Sequence, residues 1–194
     1  NTVPVLDIRR KKSHNIIGSR SFSENSTVVS NLGRLCVGFY NKNKIGTVIK
    51  HMPGLGLSKC DSHYKTPIIK ASKKELTKRD FKPFKACKSL FAMTAHAVYP
   101  KYDSYYTATH SKIIINEIIR NDMNFKGLLI SDDISMKSLK YSLEENALKA
   151  IHAGCNLVLH CNGNIREMSK LIKVIPRIDK FTQKKTSQFY KFLG

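Results

Sequence analysis

Apolar runs of strand length alternate with longer amphipathic segments along the chain. Strands are predicted over residues 2–8, 45–51, 90–96, 127–132 and 156–161. Helices are predicted over residues 25–41, 74–89, 111–123 and 143–153, and further helical segments reach the C-terminus with a break at Pro176. Strands that alternate with helices pair in parallel through right-handed crossovers, so this order predicts an α/β domain.

Each predicted strand is apolar and ends in a polar residue. These residues are Asp7, His51, His96, Asp132 and His160. In parallel α/β folds catalytic groups collect at the carboxyl ends of the strands, and in a (β/α)8 barrel those ends form one mouth. Each residue alone is open to a structural explanation, such as a turn-forming aspartate, but the five together favour a shared site.

The predicted strands are too few for a complete barrel. A (β/α)8 barrel has eight strands in about 250 residues, whereas five strands are predicted in these 194 residues. The sequence also opens directly on a strand. We therefore expect an α/β fold, formed by residues 1–194 as one domain, that is either open or an incomplete TIM-type barrel without its first strands.

Composition narrows the class of protein. A hydrophobic content of 41% suits one sizeable core. No run approaches the roughly 20 apolar residues of a membrane span, and the N-terminus has no signal-peptide pattern. The five cysteines are scattered, without a CxxC pair or the spacing of a zinc site. We expect a cytoplasmic protein with reduced thiols, no membrane partner and no metal or other cofactor.

The formal net charge of +20 raises nucleic acid as a partner. The basic residues form only short groups, at 9–12, 73–74 and 184–185, and no basic-aromatic motif or zinc finger accompanies them. Lysines dispersed over solvated helix faces are therefore the favoured interpretation. No specific nucleic-acid binding is expected, and a basic binding module remains the weakest alternative.

Six sequence blocks together carry a resemblance to a known family. They are PVLDI (4–8), IGSRSF (17–22), KHMPGLG (50–56), DSH (61–63), MTAHAVYP (93–100) and SDDISM (131–136). In this order the chain resembles the bacterial β-N-acetylglucosaminidases of glycoside hydrolase family 3, from residue 3 to about residue 162. The resemblance implies a TIM-like barrel that removes terminal β-linked N-acetylglucosamine with retention, and a role on muropeptides in peptidoglycan recycling. We expect a monomer that binds this carbohydrate substrate.

The resemblance also assigns catalytic roles. It makes Asp132 the nucleophile, a role that suits a carboxylate at a strand end because retaining hydrolysis proceeds through a glycosyl-enzyme. It makes His63 the acid/base. Asp61 lies two residues earlier, so both side chains face one side of an extended loop and the carboxylate can orient the imidazole. An Asx-type turn with an exposed histidine is the structural alternative. Asp133, on the opposite side of the strand, would cap the next turn.

By the same matching, Arg20, Lys50 and His51 fall on positions that hold the sugar hydroxyls, where charged donors make the stronger hydrogen bonds. Two residues depart from the family motif KHFPGHG. Met52 keeps an apolar filler, whereas Leu55 removes a hydrogen-bonding group.

Two interpretations of activity follow. The chain is a working exo-β-N-acetylglucosaminidase, or it is an inactive remnant or a fragment that needs a separate N-terminal piece. A barrel without its opening strands would expose sheet edges and apolar helix faces.

Overall fold

A computed structural model of the chain describes residues 1–11 and 13–194. The strands are β1 (Val48–Met52), β2 (Phe91–Thr94), β3 (Val98–Tyr99), β4 (Asp103–Thr107), β5 (Leu128–Asp133) and β6 (Leu157–Leu159). The helices are α1 (Ser26–Lys42), α2 (Lys73–Glu75), α3 (Lys82–Ala86), α4 (Leu143–Ala153), α5 (Ile165–Val174) and α6 (Lys180–Leu193). A short 3-10 turn covers Gly18–Arg20, and wider π-type turns cover Leu76–Asp80 and Ile114–Asp122.

The main sheet is parallel, with the strand order β1-β2-β5-β6. Its register pairs Ile49 with Ala92, and Ala92 with Leu129. Helical segments connect these parallel strands, as the alternation of periodicities in the sequence predicts. The predicted α/β class is therefore confirmed.

The first predicted strand, residues 2–8, is extended but irregular. It lies parallel to β1: the Leu6 N–H donates to the Lys50 carbonyl at 2.8 Å, and the Lys50 N–H donates to the Pro4 carbonyl at 3.2 Å. The pairing stays an isolated bridge because Pro4 has no N–H to donate. The prediction of a regular strand was wrong, but this edge segment still forms the outer border of the sheet beside β1.

Local signals set the helix boundaries. The Asn25 side chain accepts hydrogen bonds from the Thr27 and Val28 backbone and so begins α1. Helix α4 begins with a capping box between Ser142 and Glu145, and ends at Gly154, whose φ of 118° suits glycine. The predicted helix over 74–89 was wrong in detail, because it consists of three short pieces that end at Ala86.

The sequence pattern did not predict the antiparallel hairpin of β3 and β4. Strand β4 exposes three successive residues, Ser104, Tyr105 and Tyr106, so it shows no alternation of apolar and polar positions. This hairpin follows the carboxyl end of β2 and therefore lies on the side of the sheet where the strand-end residues collect.

The main core lies between the sheet and its covering helices. Gly33 lets α1 approach the edge segment, since a Cβ there would collide with the Leu6 side chain. In the described part of the chain the sheet does not close on itself. Helix α1 accordingly carries a second apolar face that is exposed, formed by Val28, Leu32, Leu35 and Phe39.

Candidate active site

Asp7, at the end of the edge segment, organises the site. Its carboxylate is fully buried and accepts three hydrogen bonds: from the Leu55 N–H at 2.6 Å, the His51 N–H at 3.1 Å and the His51 ring Nδ1 at 2.6 Å. Because an ionised carboxylate only accepts, Nδ1 carries the proton of that bond. Asp7 thus fixes the tautomer and orientation of His51, a role that sequence reasoning missed although its strand-end position was noted.

The free ring nitrogen of His51 faces Asp132. Its Nε2 lies 3.9 Å from Asp132 Oδ2, which is too long for a hydrogen bond. The Asp132 carboxylate is partly exposed at the end of β5, with 19% of its side-chain area accessible. The structure therefore brings together the predicted nucleophile and one of the predicted sugar-binding residues.

Lys50 lies close enough to this cluster and to Arg20 for their charges to act on its pKa. Half-burial lowers the pKa of Lys50, and the neighbouring Arg20 guanidinium lowers it further, while Asp132 and Asp7 act in the opposite direction. Arg20 ends the 3-10 turn, and its guanidinium contacts the Ile16 carbonyl at 3.3 Å. Of the three predicted hydroxyl-binding residues, His51 thus lies 3.9 Å from Asp132, Lys50 is close enough for the Asp132 charge to act on its pKa, and Arg20 lies close to Lys50.

Asp133 is engaged elsewhere, which leaves Asp132 as the available carboxylate of the pair. The Asp133 Oδ1 accepts hydrogen bonds from the Ser135 N–H at 3.0 Å and the Cys161 N–H at 3.3 Å, and the Ser135 hydroxyl also donates to this oxygen. This agrees with the capping role predicted for Asp133. Partial burial and the two aspartates raise the pKa of the Cys161 thiol, so it remains protonated near neutral pH.

His96 is buried and hydrogen-bonded to the end of β5. It is 1% exposed, and burial lowers its pKa, so the ring is neutral near pH 7. Its Nε2–H donates to the Asp133 carbonyl at 3.0 Å, and Nδ1 lies 2.7 Å from the Thr109 hydroxyl. The sequence placed His96 at a strand end without a role; the structure makes it a hydrogen-bonded support for the peptide that follows Asp132.

Asp61 and His63 form a separate pair on the loop after β1. The His63 ring Nδ1 lies 2.7 Å from Asp61 Oδ1, and the His63 N–H donates to the same oxygen at 2.8 Å. Both predicted arrangements are therefore present at once, because the bonds form an Asx-type turn and also orient the imidazole. Partial burial acts to raise the pKa of Asp61, but the hydrogen bonds and charge of His63 outweigh it, and the pKa lies below its usual value.

The loop that carries His63 rests on the loop that follows β5. The Lys137 N–H donates to the His63 carbonyl at 3.2 Å, and the Thr66 hydroxyl donates to the Ser138 carbonyl at 2.6 Å. Within residues 1–11 and 13–194 no hydrogen bond or ion pair joins His63 to Asp132. The His63 side chain is 61% exposed, so its free Nε2 is accessible to a substrate oxygen.

His160 does not take part in this cluster. Its Nε2 lies 2.8 Å from Glu167 of α5, so the prediction that all five strand ends share one site was wrong for this residue. Among the described residues, no group of three or more His, Cys, Asp or Glu side chains is placed to hold a metal ion. The described residues also include no helix with the length and hydropathy needed to cross a membrane.

This arrangement combines a carboxylate with an oriented imidazole on a neighbouring loop. The partly exposed Asp132 carboxylate lies at the end of β5, the Lys50 ammonium is within range of its charge, and the His63 imidazole lies on the loop after β1. Carboxylate and imidazole can serve as nucleophile and proton carrier, respectively.

Known proteins resemble this chain in sequence. A beta-hexosaminidase from Actinobacillus pleuropneumoniae serotype 3 (strain JL03) is 36% identical over 165 residues, covering 82% of this chain and 47% of that protein. A beta-hexosaminidase from Haemophilus influenzae (strain ATCC 51907 / DSM 11121 / KW20 / Rd) is 35% identical, covering 82% and 46%. The chain thus spans about half the length of these curated relatives.

Solved structures agree in fold. NagZ from Neisseria gonorrhoeae, in complex with N-trifluoroacetyl-D-glucosamine, matches with a TM-score of 0.85 at 29% identity, covering 97% of this chain and 55% of that chain. Zinc-bound CbsA from Thermotoga neapolitana matches with a TM-score of 0.82 at 34% identity, covering 99% and 44%. These matches bear out the expectation of an incomplete TIM-type barrel.

The family itself follows from the extent of the match. Residues 1–188 match the glycosyl hydrolase family 3 N terminal domain. This range includes the edge segment, the His63 loop and the carboxyl ends of β1, β2 and β5. The chain therefore belongs to glycosyl hydrolase family 3.

Proposed function

We propose that this chain carries the catalytic groups of a retaining exo-β-N-acetylglucosaminidase, acting on terminal β-linked N-acetylglucosamine. The observation that carries the proposal is the Asp7–His51–Asp132 arrangement, in which a buried aspartate holds a histidine 3.9 Å from a partly exposed strand-end carboxylate. Muropeptides are the proposed substrate, with peptidoglycan recycling in the cytoplasm as the setting, and the protein is proposed to act as a monomer without a cofactor.

The proposed reaction has two displacements at the anomeric carbon. Asp132 attacks that carbon while the Nε2–H of His63 gives its proton to the glycosidic oxygen, which leaves as an alcohol. Water then attacks the glycosyl-enzyme ester, His63 takes its proton, and Asp132 is released as a carboxylate. Asp61 accepts the Nδ1–H bond throughout and stabilises the imidazolium state.

Arg20, Lys50 and His51 would bind the hydroxyls of the terminal sugar. His51 and Lys50 lie near Asp132, where the nonreducing sugar must lie for its anomeric carbon to meet the carboxylate, and Arg20 lies close to Lys50. The free Nε2 of His51, held in place by Asp7, points toward that carboxylate. A side chain held in this way contributes to the positioning of the sugar.

Hydrolysis of an aryl β-N-acetylglucosaminide tests the proposal. We expect release of the aryl alcohol, its loss in Asp132→Asn, and retention of wild-type rates in His152→Ala, which changes an exposed histidine of α4. His63→Ala should leave formation of the glycosyl-enzyme nearly unchanged for substrates with a strongly acidic leaving group, since these need little proton donation, and should slow the hydrolysis of that intermediate, which needs the base. Full activity of Asp132→Asn would refute the assignment of the nucleophile.

A second candidate is a fragment that needs a separate N-terminal piece, and one observation favours it. The exposed face of α1 consists of Val28, Leu32, Leu35 and Phe39, a stripe with the spacing of a helix-packing seam. Such a stripe is typical of a helix that packs against a neighbour. Assays of the chain alone and with the N-terminal half of the Haemophilus influenzae relative distinguish the two candidates: activity only in the mixture supports the second, and activity of the chain alone excludes it.

A further inference from the structure

A chain of buried polar groups ends at the residue that follows the proposed nucleophile. It runs from Thr94, at the end of β2, through Thr109 to His96, and its last member is the Asp133 carbonyl at the end of β5. Thr94 and Thr109 are 0% exposed, and His96 is 1% exposed. The roles proposed above for the nucleophile, the acid/base and the sugar-binding residues use neither threonine.

The direction of each hydrogen bond in this chain follows from the chemistry of its members. A carbonyl only accepts, so His96 Nε2 carries the ring proton, 3.0 Å from the Asp133 oxygen. Because burial lowers the pKa of His96, the ring is neutral near pH 7, and Nδ1 accepts from the Thr109 hydroxyl at 2.7 Å. The alternative acceptor of that hydroxyl, the Ala95 carbonyl, is farther away at 3.2 Å. The Thr109 oxygen accepts the Thr94 hydroxyl at 2.9 Å. Thr109 thus stabilises the His96 tautomer that can donate to Asp133.

The end of β5 extends beyond its regular pairing with the neighbouring strands. In the described residues the β2–β5 register runs as far as Met93 and Ile130, and the β5–β6 register shifts between Ile130 and Asp133. The Asp133 carbonyl accepts the Met136 N–H at 3.1 Å, within the turn that follows, and the His96 ring N–H. Of these two donors, only His96 comes from outside the turn. It therefore ties the Asp133 carbonyl to the buried segment that follows β2.

The Asp133 backbone in turn holds the Asp132 carboxylate. The Asp133 N–H donates to Asp132 Oδ1 at 2.9 Å. Asp132 Oδ2 has no hydrogen bond to any described residue, and it lies 3.9 Å from the His51 Nε2. One oxygen is thus held by the backbone, and the other is free to reach an anomeric carbon. A displacement of about 1 Å at a reacting group can cost about a hundredfold in rate, so the position of the Asp133 amide matters for attack by Asp132.

We propose that Thr109 is a positioning residue for the Asp132 nucleophile. This inference rests on the proposed function of Asp132. Thr109 acts through His96: its hydroxyl holds the ring with the Nε2–H toward the Asp133 carbonyl, and the Asp133 amide then holds Asp132 Oδ1. Thr109 is fully buried and does not contact the substrate, so loss of its hydroxyl should slow the attack without weakening substrate binding.

The kinetic test measures hydrolysis of an aryl β-N-acetylglucosaminide by matched variants. Thr109→Val keeps the shape of the side chain but removes the hydroxyl, whereas Thr109→Ser keeps the hydroxyl. Thr47→Val is the control, because Thr47 is 2% exposed and its hydroxyl lies 2.9 Å from that of Ser89, at the end of the sheet opposite to Asp132. We expect kcat to fall about tenfold in Thr109→Val with KM unchanged, as for loss of one hydrogen bond that acts only in the transition state. Thr109→Ser and Thr47→Val should keep the wild-type kcat.

An NMR measurement decides the inference even if the chain shows no turnover. In the wild type, the nitrogen shifts of the His96 ring should report a protonated Nε2 and an unprotonated Nδ1. The Asp133 amide proton reports its hydrogen bond to Asp132 Oδ1. We expect this proton signal to move upfield in Thr109→Val, because that hydrogen bond lengthens, and to stay in place in Thr109→Ser and in Thr47→Val. A general loss of stability would not separate the two valine variants in this way.

An unchanged Asp133 amide signal in Thr109→Val would overturn the inference, as would a kcat equal to that of Thr47→Val. A higher KM with the wild-type kcat would also overturn it, because Thr109 would then act on substrate binding. If Thr109→Val does not fold, Thr94→Val takes its place: it removes the donor to Thr109 and should move the same amide signal in the same direction, and an unchanged signal would again overturn the inference. Absence of turnover in the wild type counts only against the proposed function.

Discussion

Replacement of Asp7 by asparagine should damage both stability and the site, because one buried carboxylate serves three donors. Oδ1 accepts the Leu55 N–H at 2.6 Å, and Oδ2 accepts the backbone and ring N–H groups of His51. An asparagine side chain has one oxygen and one NH2 group. Whichever way it is placed, the NH2 faces a donor, so the change breaks at least one hydrogen bond and creates a donor–donor contact.

The magnitude follows from these contacts. A hydrogen bond to a charged group contributes about 1.5–3 kcal/mol, and leaving a buried donor unsatisfied costs about 1–3 kcal/mol. The loss of one such bond, with weakening of the others, predicts a loss of about 3–5 kcal/mol for Asp7→Asn. Because domains are stable by only about 5–15 kcal/mol, this loss would be a large share of the total.

Urea unfolding measures this loss as a shift in midpoint at constant slope. Asp179→Asn is the matched control: Asp179 caps α6 by accepting the Thr182 N–H at 2.6 Å, and asparagine caps a helix equally well. The control should unfold like wild type. A loss below about 1 kcal/mol for Asp7→Asn would refute the view that its buried hydrogen bonds organise the site.

Three further changes test other parts of the structure. Burial raises the pKa of Asp80 to about 6, although the Arg10 guanidinium lies 2.6 Å from its carboxylate. The stability that the protonated Asp80 carboxyl contributes to the folded protein is therefore present below about pH 4 and is lost as the pH rises through 6. In urea titrations, the difference in unfolding free energy between wild type and Asp80→Asn should therefore change by about 3 kcal/mol across that window, and a constant difference would contradict the shift. Asn25→Ala should lower stability by about 1 kcal/mol through loss of the α1 cap, and Asn25→Asp should restore it. Gly56→Ala should lower stability by more than about 2 kcal/mol in thermal unfolding, because a Cβ there collides with the Ile8 carbonyl; an unchanged melting temperature would mean that the loop moves freely.

Much of the fold follows from periodicity. The apolar runs predict four of the parallel strands to within a few residues, and α4 extends over Leu143–Ala153 as predicted because its cap and its terminal glycine are both local signals. The edge segment deviates from a regular strand because Pro4 removes a donor. The β3–β4 hairpin has no periodic signal, since Tyr105 and Tyr106 are both exposed.

The site is less accessible from sequence, because its central contacts join residues far apart in the chain. The spacing of Asp61 and His63 predicts their hydrogen bond, which the structure contains at 2.7 Å. No spacing rule joins Asp7 to His51, 44 residues later; only their shared position at strand ends indicated it. The role of Leu55 could not be predicted from sequence either. It is 2% exposed and packs in the core, and what it contributes to the site is its backbone N–H, which no side-chain pattern reveals.

The same hydrogen bonds connect the site to the open border of the sheet. Asp7 lies in the edge segment, which pairs with β1 on one side and has no further strand on the other in the described residues. The amides of His51 and Leu55 donate to Asp7, so their hydrogen exchange reports how firmly this border is held. If a separate N-terminal piece completes the barrel, its addition should slow exchange at both amides, while the amides of α4 serve as the internal control. Unchanged exchange at His51 and Leu55 in an active mixture would show that the piece supplies catalytic groups without ordering the edge segment.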